Sequence, residues 1–190
     1  MKKLNLIFEK VTIKNLDAAI QIQRDILPED DGIVNIQIST DKEFIKKYGI
    51  DDNKYLDTST YWLCIDNNEF IGITGLYSYF EYPKDVWLGW FGVLSKFRER
   101  GYGKRVLLWT MEKAKELGFE NFRLYTDIVY DKEAVNLYRK IGMLEEPYLT
   151  EKLKGKTFIF SKNLYSYHTE KFGNKNLFLN EQEELQNIFN

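Results

Sequence analysis

Cysteine is nearly absent from the chain: Cys64 is the only one in 190 residues. It has no partner for an internal disulfide, and such usage suits a reducing compartment. Histidine is equally scarce, with His168 alone, so the several Cys and His ligands of a zinc centre are missing and no metal is expected. A strong charge bias is also lacking. The formal net charge is −2 and the pI about 5.6, which argues against a dedicated nucleic-acid binder with a dominant basic face. No run approaches the roughly 20 apolar residues of a membrane span. The apolar stretch from Leu4 to Phe8 is broken by Asn5 and stops at Glu9, too short for a secretory signal. Internal repeats, low-complexity tracts and linkers are missing as well. These absences predict a soluble cytoplasmic protein of one domain, or one domain with an appendage.

What is present is apolar and aromatic material, 44% and 16% of the chain, enough for a substantial core. Residues 4–13 have the pattern of a strand. Residues 15–27 have that of a helix with Ala19, Ile22 and Ile26 on one side, stopped by the loop "PEDDG" (28–32). A second short helix is expected over 41–49, ended by Gly49. Two β-rich runs, 60–66 and 69–79, flank "DNNE" and predict a hairpin. "VWLGWFGVL" (86–94) continues the meander as a strand apolar on both faces. Leu107, Met111, Ala114 and Leu117 are spaced for a helix with Gly118 as its C-cap. Residues 121–127 are strand-like. Residues 131–142 form a helical pattern with Ala134, Leu137, Tyr138 and Ile141 on one stripe, Asp131 as cap and Gly142 at the end. A last strand is expected over 156–164, then a tail with a short helix in "NEQEELQNIF". The order β α α β β β α β α β is that of an α+β domain with a βαβ crossover at 86–127.

The basic octet "RERGYGKR" (98–105) interrupts this otherwise ordinary pattern. It lies between a strand and a helix start, where the first helical N–H groups have no partner and the helix dipole is positive. Gly101 and Gly103 let backbone approach a phosphate and turn its amides inward. Arg98, Arg100, Lys104 and Arg105 add attraction for a polyanion. The octet is not a P-loop, and Val106 stands where a dinucleotide fingerprint needs its third glycine. By itself the stretch is equally a plain surface turn.

Two motifs together resemble those of the GCN5-related N-acetyltransferases (GNAT family). "RERGYG" (98–103) is similar to the R/Q-x-x-G-x-G/A signature that follows the fourth strand and opens the third helix. "DKEAVNLYRKIGM" (131–143) resembles N-x-x-A-x-x-L-Y-x-x-x-G-F, with Ala134, Leu137, Tyr138 and Gly142 at matching positions. The resemblance covers residues 4–164 and implies the GNAT-type acyl-CoA N-acyltransferase fold, α+β, with a mixed central sheet of about six to seven strands and about four helices. It implies an acetyltransferase domain over 1–164 and an extension over 165–190. It also implies acetyl-CoA as cosubstrate, with its pyrophosphate on the amides of Glu99, Arg100, Gly101, Tyr102, Gly103 and Lys104 and with Arg98 near. The pantetheine arm would pair with backbone of Phe91 and Val93, in the opening between two splayed strands. An acceptor amine would attack the thioester directly, the Val93 N–H stabilising the oxyanion and Tyr138 protonating the departing thiolate.

The chain departs from the family pattern at two positions. Asp131 stands for the usual asparagine, so its side chain can approach CoA but not donate to it, and Met143 stands for phenylalanine. The strand from Val86 to Val93 carries no carboxylate, which leaves Glu81, Asp85, Asp127 or a water relay as general base. The acceptor is expected to be a small amine or a peptide, with neither nucleic acid nor membrane as partner. "PEDDG" is a polar surface loop or a lure for a cationic amine. The tail beyond 165 either covers the domain's own sheet or pairs with a second copy in a homodimer, and both stand open. So does a second function, that of an acyl-CoA sensor without turnover. Cys64 is expected to be a packed thiol, and Trp62, Tyr77, Tyr79, Trp87 and Trp90 core or strand faces. His168 is expected to be a tail residue without catalytic part.

Overall fold

The computed structural model describes residues 6–28, 33–41, 56–129, 131–148 and 157–173. They belong to two compact units, Met1–Phe122 and Arg123–Asn190. Eight strands and four α-helices are found among the described residues, a mixed α+β architecture with an open sheet.

In the first unit β1 (Ile7–Lys10), β2 (Leu56–Asp66), β3 (Glu69–Tyr79) and β4 (Asp85–Leu88) pair in that order, each antiparallel to the next. The hairpin between β2 and β3 turns at Asn67 and Asn68, with φ of 49° and 62°. Two consecutive left-handed residues match the twist of the flanking strands, and asparagine tolerates that region better than other side chains. Alternating apolar residues feed both faces of this meander. On one face α1 (Leu16–Ile26) and α2 (Ile33–Ile38) close a core of Val11, Ala19, Ile22, Ile26, Ile36, Tyr61, Leu63 and Ile73. A second core on Cys64, Ile71, Val93, Phe97, Tyr102 and Val106 holds α3 (Tyr102–Glu116). There the hydroxyls of Thr74 and Thr110 share a buried hydrogen bond of 2.8 Å, and Phe8 stacks on Trp109 with centroids 3.7 Å apart.

Several sequence expectations need correction in this unit. The strand expected over 86–94 is two strands, β4 and β5 (Gly92–Val93), both paired with β3. From the pair Leu76–Leu88 to the pair Ile73–Gly92, β3 advances three residues and its partner four, so Gly89–Phe91 hold a bulge. Glycine lets the ring of Tyr61 and the side chain of Ile26 press onto the backbone here. A Cβ on Gly89 would lie 2.6 Å from the Tyr61 hydroxyl oxygen, and one on Gly92 2.3 Å from Ile26 Cγ2. A run apolar on both faces shows no period from which such a break could be read. Helix α2 is absent from the sequence expectation, because "IVNIQI" is rich in β-branched residues and has the composition of a strand; packing of Ile36 and Ile38 overrides that propensity. The helix expected over 41–49 lies outside the described residues except for Asp41, as do residues 29–32 of "PEDDG". Leu117 is not part of the buried stripe of α3. It follows the helix end and is 56% exposed, while Gly118 makes the expected left-handed stop at φ 90°.

Strand β6 (Asn121–Asp127) begins at the last residues of the first unit, where the N–H groups of Glu120 and Asn121 both donate to the Lys84 carbonyl. In the second unit β6, β8 (Thr157–Asn163) and β7 (Leu144–Pro147) follow in that spatial order. Between β6 and β7 runs α4 (Lys132–Lys140), ended by Gly142 at φ 74°. Strand β7 has no period-2 signal in "LEEP". Its proline is tolerated at the end of the β7 ladder, and its Glu146 is buried beneath the chain that leaves β8. The Phe172 N–H donates to Glu146 Oε1 at 2.8 Å and the Gly173 N–H at 3.2 Å. Arg123 donates to Ser161 Oγ at 2.7 Å and to the Glu170 carbonyl, and lies over the Phe172 ring. Residues 164–173 therefore pack on this unit. The helix expected in "NEQEELQNIF" lies outside the described residues.

Candidate functional site

Gly101 is the N-cap of α3, with φ 81° and ψ 5°. A Cβ there would meet nothing within 4 Å, so glycine is needed for conformation and not for space. Glu99, two residues earlier, also has a positive φ, 61°, an arrangement costly for a side-chain-bearing residue. Two left-handed residues so close together bend the loop sharply into the helix.

The start of α3 violates the usual rules for helix ends. It has no side-chain cap and no acidic residue in its first turn. Lys104 and Arg105 stand there instead, following the exposed Arg98 and Arg100. Cations beside a helix N-terminus are unfavourable by roughly 0.3–1 kcal/mol each. Helix geometry leaves the N–H groups of Gly101, Tyr102, Gly103 and Lys104 without intrahelical acceptors. The first bond into the helix, Arg105 N–H to the Gly101 carbonyl, is long at 3.4 Å. An uncapped helix start flanked by Arg98, Arg100, Lys104 and Arg105 has the donors and the charge that suit an anion.

The loop is tied to the strands behind it. Arg98 Nε donates to the Val93 carbonyl at 3.2 Å, joining the octet to β5. Arg100 lies over the Phe97 ring, 5.8 Å from its centroid. Tyr102 turns its side chain inward: its hydroxyl donates to Asp66 Oδ2 at 2.6 Å, and both residues are buried. That hydrogen bond, then burial, then the Asp66 charge raise the Tyr102 pKa, opposed by the Arg100 and Arg105 guanidinium groups. Sequence reasoning places Tyr102 by its backbone only and misses Asp66. The two are 36 residues apart, and no local pattern signals such a pair. Just before β5, Trp90 keeps its indole N–H buried, with no acceptor among the described residues.

The second constellation belongs to the second unit. Tyr138 is 4% exposed on the inner stripe of α4, its ring 5.4 Å from that of Phe160. Burial, and next the charge of Asp131, push its phenol well above the ordinary value near 10. Asp131 occupies the N-cap position but makes no capping bond with its side chain. It instead accepts from the Thr126 hydroxyl, contrary to the capping role expected. Met143 is buried where the family pattern has phenylalanine.

The structure thus brings Val93, Arg98, Glu99, Arg100, Gly101, Tyr102, Gly103 and Lys104 together around one helix start, with the half-buried Phe91 on the strand side. Tyr138 and Asp131 share the other unit. The three candidate bases differ in setting. Asp85 is buried and accepts from the Asn121 side chain at 2.8 Å. Asp127 accepts the Val129 N–H at 2.7 Å. Glu81 is exposed in the turn before β4. Burial raises the Cys64 pKa, so its thiol stays protonated and inert, and His168 is exposed. No group of three or more metal-ligating side chains occurs among the described residues, and none of their helices is long and apolar enough to cross a membrane.

The model of the acetyltransferase (GNAT) family matches residues 23–143. Solved structures share the fold at low sequence identity. A spermidine N-acetyltransferase from Vibrio cholerae, in complex with CoA and spermine, is 15% identical with a TM-score of 0.60, over 84% of this chain and 95% of that one. The ribosomal-protein-S18-alanine N-acetyltransferase of Escherichia coli is 13% identical, with a TM-score of 0.57 over 86% and 97%. The PaiA N-acetyltransferase of Thermoplasma acidophilum, in complex with coenzyme A, is 18% identical, with a TM-score of 0.55 over 84% and 99%. No curated protein matches the chain by sequence.

Proposed function

Because the chain belongs to the acetyltransferase (GNAT) family, we propose that it transfers an acetyl group from acetyl-CoA to a primary amine. The observation that carries this reading is the uncapped, cation-ringed start of α3 with its left-handed Gly101. A pyrophosphate offers negative charge and acceptors to a helix end that has no side-chain cap and no acidic residue in its first turn. In this reading the amides of Glu99 to Lys104 hold the pyrophosphate, and Phe91 and Val93 offer backbone to the pantetheine arm. Arg98 holds the loop against β5 through the Val93 carbonyl, which leaves the Val93 N–H for the oxyanion. Asp131, engaged with Thr126, steadies the start of α4.

The acceptor nitrogen attacks the thioester carbonyl, a C–N bond forms, and the C–S bond of the tetrahedral intermediate breaks. A thiol ionises near 8.5 and the Tyr138 phenol above 10, so full proton transfer from it to the thiolate is uphill. Tyr138 therefore acts as a hydrogen-bond donor to the departing sulfur and stays a neutral phenol. The thiolate takes up its proton from water, which balances the proton lost by the amine. Glu81, Asp85, Asp127 or a water relay takes the amine proton; Asp85 and Asp127 each accept one hydrogen bond and keep lone pairs for another. Spermine and a ribosomal-protein alanine, named with two solved structures, point to polyamines and alanine-led peptides as the acceptors to try first. The absence of a carboxylate between Val86 and Val93 favours one competing reading, a sensor that binds acetyl-CoA without turnover. Release of free CoA thiol over a panel of amines and peptides separates them: turnover supports the enzyme, tight binding with no turnover on any acceptor supports the sensor.

A further inference from the structure

We infer that Tyr102 and Asp66 form a positioning lock for the amide cradle at the start of α3; the inference rests on the CoA-binding role proposed above. Tyr102 is the first residue of α3, so its N–H is one of the cradle's donors while its side chain runs the opposite way into the core. The hydroxyl ends 2.6 Å from Asp66 Oδ2, with the two residues each 5% exposed. Asp66 is the last residue of β2, fixed by its pairing with Glu69 across the left-handed Asn67–Asn68 turn.

A polar pair is an unexpected choice for that position. The surroundings are the apolar cluster of Cys64, Ile71, Val93, Phe97 and Val106, where a phenylalanine would pack without the cost of a buried carboxylate. What a phenylalanine lacks is direction. A ring in an apolar pocket can slide and rotate, whereas a charge-assisted hydrogen bond sets both distance and angle. The helix end needs such a constraint because it has no side-chain cap, and its amides must meet a phosphate within a few tenths of an ångström. The lock sits under the amides and leaves them free for the ligand. Tyr102 and Asp66 are positioning residues and touch neither the acetyl group nor the amine.

The test uses the full chain with two donors: acetyl-CoA, and acetyl-pantetheine, which lacks the pyrophosphate and nucleotide. Tyr102→Phe is expected to weaken CoA binding roughly tenfold in calorimetry and to raise the KM for acetyl-CoA by a similar factor. The loss of kcat/KM is expected to be clearly larger with acetyl-CoA than with acetyl-pantetheine, because only the former carries the pyrophosphate. Asp66→Ala reproduces the loss, Asp66→Asn restores binding because its amide oxygen still accepts, and the double variant Tyr102→Phe/Asp66→Ala is no worse than either single one. Should Tyr102→Phe fail to fold, Asp66→Ala and Asp66→Asn carry the same comparison. Unchanged CoA affinity in the single variants, or an equal loss with both donors, overturns the lock. A wild-type chain that binds no CoA overturns the functional reading beneath it as well.

Discussion

Tyr138 concentrates the chemistry at the scale of single residues. Its hydroxyl is the only proposed donor to the leaving sulfur, so Tyr138→Phe should lower kcat by at least tenfold, within the ~10²–10⁴ range of a positioned acid, and leave the KM for acetyl-CoA nearly unchanged. Initial rates of thiol release measure both. The same phenol makes a prediction about stability. Its pKa is raised in the folded chain above the value near 10 expected unfolded. Below about pH 10 it is neutral in both states and stability does not depend on it. As pH climbs past 10 the unfolded chain ionises first, and stability falls until the folded pKa is reached. Tyr138→Phe should therefore flatten the alkaline loss of stability above about pH 10, measured as urea midpoints; an unchanged slope would contradict the burial assigned to it. Cys64 gives a simpler readout: its buried thiol should react with a maleimide only after denaturation.

At the scale of elements the start of α3 decides the account. Gly101→Val places a β-branched residue at φ 81°, a strain of order 1–3 kcal/mol. With nothing within 4 Å of a Cβ there, the fold should survive with a modest fall in Tm. CoA affinity should fall by tenfold or more in calorimetry, and an unaltered affinity would misplace the cradle. This element is legible in the sequence because its chemistry is local: two glycines, four cations and a strand-to-helix junction lie within one octet. The second motif is legible for the same reason, since Tyr138 and Gly142 sit at fixed helical spacing. The bulge at Gly89–Phe91 is not, because it depends on the ring of Tyr61 lying over Gly75 and Gly89, a contact made between strands. The Tyr102–Asp66 bond and the buried Glu146 of β7 are hidden similarly. Each pairs residues far apart in sequence, and the types involved are those that local reasoning assigns to the surface. Helix α2 escapes sequence reasoning because tertiary packing overrides the strand preference of its isoleucines.

On the scale of the whole molecule, each unit has its own means of holding together. The first rests on a meander with a core on each face. The second adds the segment 164–173, whose Phe172 is 1% exposed against Arg123 and whose backbone is received by Glu146. Phe172→Ala should destabilise the chain by ~3–5 kcal/mol, read from urea unfolding, and a loss below about 1 kcal/mol would mean that the segment is not part of that core. The central claim concerns what the molecule does with its basic helix end. Incubation of the wild-type chain with acetyl-CoA and spermine or an alanine-led peptide, with free thiol monitored over time, tests it most directly. The account predicts acceptor-dependent thiol release that falls at least tenfold in Tyr138→Phe and shows a raised KM for acetyl-CoA in Gly101→Val. No binding of acetyl-CoA, or turnover indifferent to both substitutions, would contradict it.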